Sequence, residues 1–432
     1  MKVIMFGWEF PPHISGGLGT ACYGLTKALA TFDEMQLTLV VPKAYGDEKT
    51  PSVTLIGADH VPVFRSYPGS SGLNLPTKVI EINTPIIPYT NADEYFQLIE
   101  QTTSDRCLDQ SDEPNRIPFS GNYGSNLFQE IDRLGLVAEV LVRENEFDVI
   151  YAHDWMTFPA GMAAKEKSGK PLVVHVHSTE FDRGAGWVNQ QVFEIEKKGM
   201  EAADKVIAVS NLTRRIILEK YQLPPEKVVV VYNAVEPAAP FKKPLQKNPG
   251  TEKVVSFLGR ITVQKGPGYF VEAASLVLGK MKNVRFVMAG KGDMAELMAR
   301  RVAELGIADR FQFPGFLSEE GISDLFLNSD ILAMPSVSEP FGIVALEAMQ
   351  AGVPVVLSRQ SGASEVIQHA LKVNYWDVGA QADAICSLLN DTVLRTEMSK
   401  NGKREAKKFQ WKISAKEVMK VFSEVMNDLK KL

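Results

Sequence analysis

Cysteine is scarce in this 432-residue chain: Cys22, Cys107 and Cys386 lie far apart and form no metal-ligand spacing. An odd, sparse set excludes a disulfide scaffold and fits a reducing compartment. Basic excess is also missing. The formal net charge of −5 argues against a general nucleic-acid or polyphosphate surface, although a local basic cleft stays open. Nowhere do about 18 apolar residues run together, so no transmembrane segment is expected. The opening Met1–Gly7 is a short apolar strand before a Gly-rich loop, too short for a signal-peptide core. The expectation is a soluble, cytoplasmic protein with no nucleic-acid partner. Oligomeric state leaves no mark in the sequence.

What is present is the composition of a globular protein, 45% hydrophobic and 23% charged. The length exceeds one ordinary core, so two domains are the default. Short Val- and Ile-rich runs recur at Val3–Phe6, Leu37–Val41, Val149–Ala152, Leu172–Val176, Val206–Val209 and Val228–Val231, each followed by a helix-length segment. They do not alternate with polar residues, which marks parallel strands buried on both faces. A Pro-rich stretch interrupts the series, and it restarts at Val254–Leu258, Val284–Ala289, Phe311–Phe313, Ile331–Met334 and Val353–Leu357. The fold class is therefore α/β, with two doubly wound Rossmann-like domains facing a cleft. The expected organisation is an N-terminal domain over 1–235 with an excursion about 84–135, a linker over 236–252, and a C-terminal domain over 253–408. A final helix over 409–432, striped by Ile413, Val418, Val421, Phe422 and Val425, is expected to pack back on the first domain.

Several motifs sit at predicted strand ends, where such sheets bind ligands. In Ser338-Glu339-Pro340-Phe341-Gly342-Ile343-Val344-Ala345-Leu346-Glu347, two carboxylates flank a turn and the start of an apolar helix. Pro340 suits a first-turn position, and Gly342 permits close backbone approach. The free N–H groups of a helix start suit a phosphate, and a Glu on either side suits hydroxyl-bearing rings. An ordinary amphipathic helix with exposed acids is the alternative. Arg260 and Lys265, five residues apart after Val254–Leu258, can converge on one anion, as a leaving diphosphate requires. Gly16 and Gly17 lie in a loop whose N–H groups can cradle an anion, though the glycine spacing is not a dinucleotide fingerprint. Of only six histidines, His153, His175 and His177 fall at strand ends. They lack a convincing Cys or acidic partner for a metal. Gly315 and Phe316 follow another strand of the second domain, where contacts to a nucleotide base are plausible.

Taken together these residues resemble the retaining, nucleotide-sugar-dependent glycosyltransferases of the GT-B fold, the group 1 family, in its glycogen- and starch-synthase-like branch. The likeness covers almost the whole chain. Its most specific parts are Gly-Arg-x4-Lys-Gly at 259–266 and the Glu-x7-Glu pair Glu339 and Glu347. Trp8-Glu9-Phe10-Pro11-Pro12 leans towards the same branch. The chain departs from the pattern in being somewhat shorter and in carrying Ser361-Gly362 for the family's late Gly-Gly. Above all it departs in its first loop, where bacterial glycogen synthases carry Lys-x-Gly-Gly-Leu and this chain has Ile14-Ser15-Gly16-Gly17-Leu18.

The resemblance implies catalytic roles for His177, Glu339, Arg260 and Lys265. Arg260 and Lys265 would hold the donor diphosphate and Glu347 the ribose hydroxyls. Glu339, with the backbone at Phe341, Gly342 and Ile343, would hold the transferred sugar. Gly16 and Gly17 would lie over the phosphates, His177 beside the reactive carbon, and His153, Asp154 and Trp155 along the cleft. It implies no metal and no cofactor beyond a nucleoside-diphosphate sugar as co-substrate, with a carbohydrate acceptor as partner. The transferred group is expected to be hexosyl, glucose first, with glycogen/α-glucan synthesis as the narrower reading. A lipid, polysaccharide or small-molecule acceptor, a nucleotide-sugar epimerase and a non-catalytic carbohydrate- or nucleotide-binding protein stay open as alternatives.

Overall fold

A computed structural model describes residues 1–14, 16–48, 52–63, 116–184, 186–237 and 252–429. Seven parallel strands form the first sheet: β1 (Lys2–Phe6), β2 (Gln36–Val41), β3 (Thr54–Gly57), β4 (Val149–His153), β5 (Leu172–Val176), β6 (Lys205–Ala208) and β7 (Val228–Val230). Their order is β3-β2-β1-β4-β5-β6-β7. Six more form the second: β8 (Lys253–Leu258), β9 (Val284–Ala289), β10 (Phe311–Gly315), β11 (Ile331–Met334), β12 (Val355–Ser358) and β13 (Leu371–Val373), ordered β10-β9-β8-β11-β12-β13. β3 and β13 are additions to the expected set. They are the outer strands, short and only partly buried, so they lack the long apolar run that betrays a central strand.

The unbroken apolar runs have a direct cause in packing. Along β1, Val3 and Met5 enter one core and Ile4 and Phe6 the other. β4 divides the same way, Val149 and Tyr151 against Ile150 and Ala152. Both faces are thus dry, and no position needs a polar residue. In the second sheet, Ile331 and Ala333 of β11 face one core while Leu332 and Met334 face another.

The helix Trp411–Leu429 closes the first core. Trp411, Val418, Val421, Phe422 and Val425 pack with Val3, Met5, Leu25 and Leu29. Ile413, expected on that stripe, is exposed, and Trp411 takes the inward place. The indole lies so close to the helix Gly17–Leu29 that a Cβ on Gly24 would fall 2.3 Å from Trp411 Nε1. The expected excursion is partly outside the described residues (84–115), as is most of the linker. Its last part is ordinary fold: the helix Leu127–Glu144 buries Leu127, Ile131, Leu134 and Val137 under the sheet. Among the described residues, no helix is long and apolar enough to cross a membrane.

Strand order reverses between β1 and β4 in the first sheet and between β8 and β11 in the second. Such switch points open a crevice at the carboxyl ends of the strands. The loops after β1, β4, β8 and β11 begin there, and the loop after β5 begins one strand beyond β4.

Candidate functional site

On the first-domain side, three histidine rings stack at the ends of β4 and β5. His175 and His177 have centroids 4.2 Å apart, and His153 Nδ1 lies 2.9 Å from His177 Nε2. His175 Nδ1 meets the Tyr151 hydroxyl at 2.6 Å. Burial lowers the pKa of all three, His177 to about 3, and His153 and His175 further feel their histidine neighbours. The rings are therefore neutral at physiological pH, each with one N–H to give. Among the described residues, His153 Nε2, His175 Nε2 and His177 Nδ1 are buried without a hydrogen-bond partner, and of the three rings His177 is the least enclosed. His153 is fully buried, one layer behind His177, which makes it a support for that ring rather than a cleft wall. Trp155 is likewise buried, against Phe128.

Asp154 fixes the turn that carries His177. Its backbone has φ +59°, a left-handed conformation unusual for a non-glycine residue. Its Oδ1 accepts the His177 N–H at 2.6 Å. Burial pushes its carboxyl up to about 7, against the pull of Arg183 and the His177 N–H. Beyond the turn, Thr179 opens the short helix Glu180–Arg183, and Asp182 Oδ2 accepts from both Thr179 N and Oγ1 at 2.8 Å. Arg183 is buried, paired with Glu180 and Glu196, and donates to Ser178 O at 3.0 Å. Trp187 stands 87% exposed just past this helix.

On the second-domain side, Lys265 and Glu339 meet directly: Lys265 Nζ is 2.6 Å from Glu339 Oε2, which also accepts from Ser336 Oγ at 3.1 Å. Arg260 Nη2 reaches Gln264 Oε1 at 3.2 Å. Gly342 precedes the helix Ile343–Ala351 at φ +104°, with Glu339 Cγ, Met334 Cε and Ser361 Oγ within 3.3 Å of where a Cβ would stand. That pocket explains the glycine. Pro340 lies before the helix, not in its first turn, because Gly342 makes the bend. Phe341 is buried in the second-domain core, its carbonyl accepting from Ala363 N and Ser361 Oγ; Ile343 is half-buried. Glu347 lies within the same helix, its carboxyl pushed up to about 7 by desolvation and then by Glu319. Gly315 (φ +76°) and exposed Phe316 close β10, two strands from β8. Gly16 and Gly17 have open space where side chains would stand.

A link joins the two sides: Ser338 Oγ donates to Asp182 Oδ1. One neighbour of Glu339 is thereby tied to the turn carrying His177. Sequence reasoning missed Asp182, Ser338 and Arg183, whose types are ordinary and whose meeting needs 156 residues of separation to close. It also missed Cys22, whose thiol lies with His153 and His177 in a set of ligand atoms within 4.8 Å of one another. Burial, then Asp154 and Glu9, hold that thiol well above its usual range, so the thiolate a metal needs is disfavoured.

The chain is similar to known proteins over nearly its whole length. Residues 240–405 match the family model of glycosyl transferases group 1, and 106–239 match glycosyltransferase family 4. An uncharacterized glycosyltransferase of Methanocaldococcus jannaschii is 28% identical over 99% of both chains. A glycogen synthase of Mycobacterium tuberculosis is 24% identical, covering 98% of this chain and 94% of that one. Among solved structures, a sucrose-phosphate synthase from Thermosynechococcus elongatus superposes with a TM-score of 0.70 at 18% identity, over 99% of both chains.

Proposed function

The chain is a group 1 glycosyltransferase of the GT-B fold, and we propose that it moves a glucosyl group from a nucleoside-diphosphate sugar to an α-glucan with retention. The observation that carries this reading is the pairing of Lys265 with Glu339 at the second sheet's switch point, tied through Ser338 and Asp182 to the turn of His177 at the end of β5 in the first sheet. The glycogen synthase likeness over nearly the full chain supports the choice of glucan. Exposed Trp187 offers a flat apolar face of the kind that sugar rings stack on.

In this reading the donor diphosphate lies against Arg260, Lys265 and the start of the helix Ile343–Ala351, where fixed positive charge meets growing negative charge. Glu339 accepts from hydroxyls of the transferred sugar and Glu347 from those of the ribose. Gly16 and Gly17 cover the phosphates from the first domain, and their lack of side chains allows that approach. Phe316 and the backbone at Gly315 adjoin the base. The bond from the sugar's anomeric carbon to the phosphate oxygen breaks, and its electron pair leaves with the diphosphate. The acceptor hydroxyl attacks the same face, giving its proton to the departing phosphate oxygen. Both Glu residues are committed to binding, so no covalent intermediate on a carboxylate is invoked, unlike a retaining glycosidase. Neutral His177 hydrogen-bonds the sugar beside the reacting carbon, with Asp154 and His153 holding it in place.

The test is nucleoside-diphosphate release by purified protein from ADP-, UDP- and GDP-glucose, with and without α-glucan. Release from one donor, raised by glucan, is the expected result. Release indifferent to glucan would remove that acceptor, and no release from any of the donors would remove the donor assignment.

A further inference from the structure

A second cavity lies at the β6 and β12 end of the interdomain crevice. It has a volume of about 590 Å³ and is lined by Asn211, Leu212, Arg214, Arg215, Leu218 and Glu219 from the first domain, with Arg359, Ser361 and Glu365 from the second. That volume falls within the roughly 300–1,000 Å³ of ordinary small-molecule sites. None of the residues given a donor role above lines it.

The charges in the groove are unequally spent. Both Glu365 oxygens are engaged, taking the Asn211 and Leu212 N–H groups at 2.9 and 2.6 Å and the Tyr232 hydroxyl at 3.0 Å. Arg214 gives Nε and Nη2 to the carbonyls of Val228 and Pro225. The side chains of Arg215 and Arg359, one from each domain and both exposed, meet no acceptor among the described residues. Two planar forks thus line one cavity from opposite domains, and a tetrahedral oxyanion is the group that such forks hold bidentately. Leu212 and Leu218 add apolar wall and Glu219 a hydroxyl acceptor, which suits a sugar body better than a bare ion.

We propose that this groove binds a phosphate-bearing sugar between Arg215 and Arg359, apart from the donor diphosphate. Its occupant would touch the donor loop through one residue. Ser361 forms part of the groove, pairs with Glu339 as a parallel bridge and donates its Oγ to Phe341 O at 2.9 Å. A ligand that joins the domains there therefore bears on the loop that positions Glu339.

Calorimetric titration with glucose 6-phosphate, inorganic phosphate and glucose tests this without any turnover, so its failure would leave the transferase reading untouched. Glucose 6-phosphate should bind and glucose should not. Arg215→Ala and Arg359→Ala should each weaken binding about tenfold or more, the loss expected for a charged hydrogen-bond pair. Neither side chain makes a hydrogen bond among the described residues, so the melting temperature should hold. Lys265→Ala should leave binding intact. Equal binding of inorganic phosphate would support the anion site and reduce its ligand to the phosphate itself. No binding, equal binding of glucose, retention in both arginine variants, or loss on Lys265→Ala would overturn the proposal.

Discussion

Lys265 and Glu339 form one ion pair, Nζ to Oε2 at 2.6 Å, with both side chains largely withdrawn from solvent. A donor contact at either residue is therefore also a contact with its partner. Substituting one leaves the other uncompensated, which costs more than an exposed pair would. Lys265→Ala and Glu339→Ala should each cut kcat/KM by about 100-fold or more, in the range for removing a group that meets developing charge. The double variant should be far less impaired than the product of the two, because the residues act as a unit. Strict multiplicativity in a steady-state cycle would show them to be independent.

The Asp182 carboxylate accepts three hydrogen bonds, two from Thr179 at its own helix start and one from Ser338 of the second domain. Ser338→Ala removes only the crossing bond. It should lower kcat about tenfold, through misplacement of the two loops, with little change in melting temperature. Asp182→Ala should lower both. An unaltered kcat in Ser338→Ala would make the link a passive contact.

Donor binding should depend on pH through Glu347. Its pKa of about 7, raised by desolvation and Glu319, leaves it partly protonated near neutrality, and the ionised form accepts hydroxyls more strongly. Donor KM should rise as pH falls from about 8 to 6. The effect should vanish in Glu347→Gln, and in Glu319→Gln its inflection should move to lower pH. A donor KM flat across that range would contradict the assignment.

Stability should follow the histidines. His177 has its pKa lowered from 6.5 to about 3, so the unfolded chain takes up a proton there that the folded chain refuses. Its contribution is full above the unfolded pKa and is lost as pH falls from 6.5 towards 3. Asp154, raised from 3.8 to about 7, acts with the opposite sign over its own interval. His177→Asn should thus flatten the acid side of the melting-temperature profile, and an unchanged slope would refute the cause.

Trp187→Ala should raise KM for glucan several-fold and leave donor KM unchanged, because the exposed indole lies beyond the turn of His177. Equal effects on both substrates would remove it from the acceptor side.

The fold was legible because its central strands are buried on both faces and so read as unbroken Val- and Ile-rich runs. Outer strands β3 and β13 were not legible, since they are short and half-covered. Arg260 and Lys265 stood out because they follow a buried strand, and Glu339 and Glu347 because they flank a turn and the start of an apolar helix. The ion pair between two of them did not, and neither did Asp182, Ser338 or Cys22. Their partners lie in other parts of the chain, and only closure of the two domains brings Asp182 to Ser338. Trp155 shows the converse: its place beside His153 suggested the cleft, yet a helix-side core claims the ring.

The most direct measurement is transfer of labelled glucose from ADP- or UDP-glucose into α-glucan, followed by digestion with an enzyme that cleaves only α-linkages. The wild-type protein should incorporate label that this digestion releases, and Lys265→Ala should incorporate almost none. Label released from the donor as free glucose, label resistant to the digestion, or equal incorporation by Lys265→Ala would contradict the account.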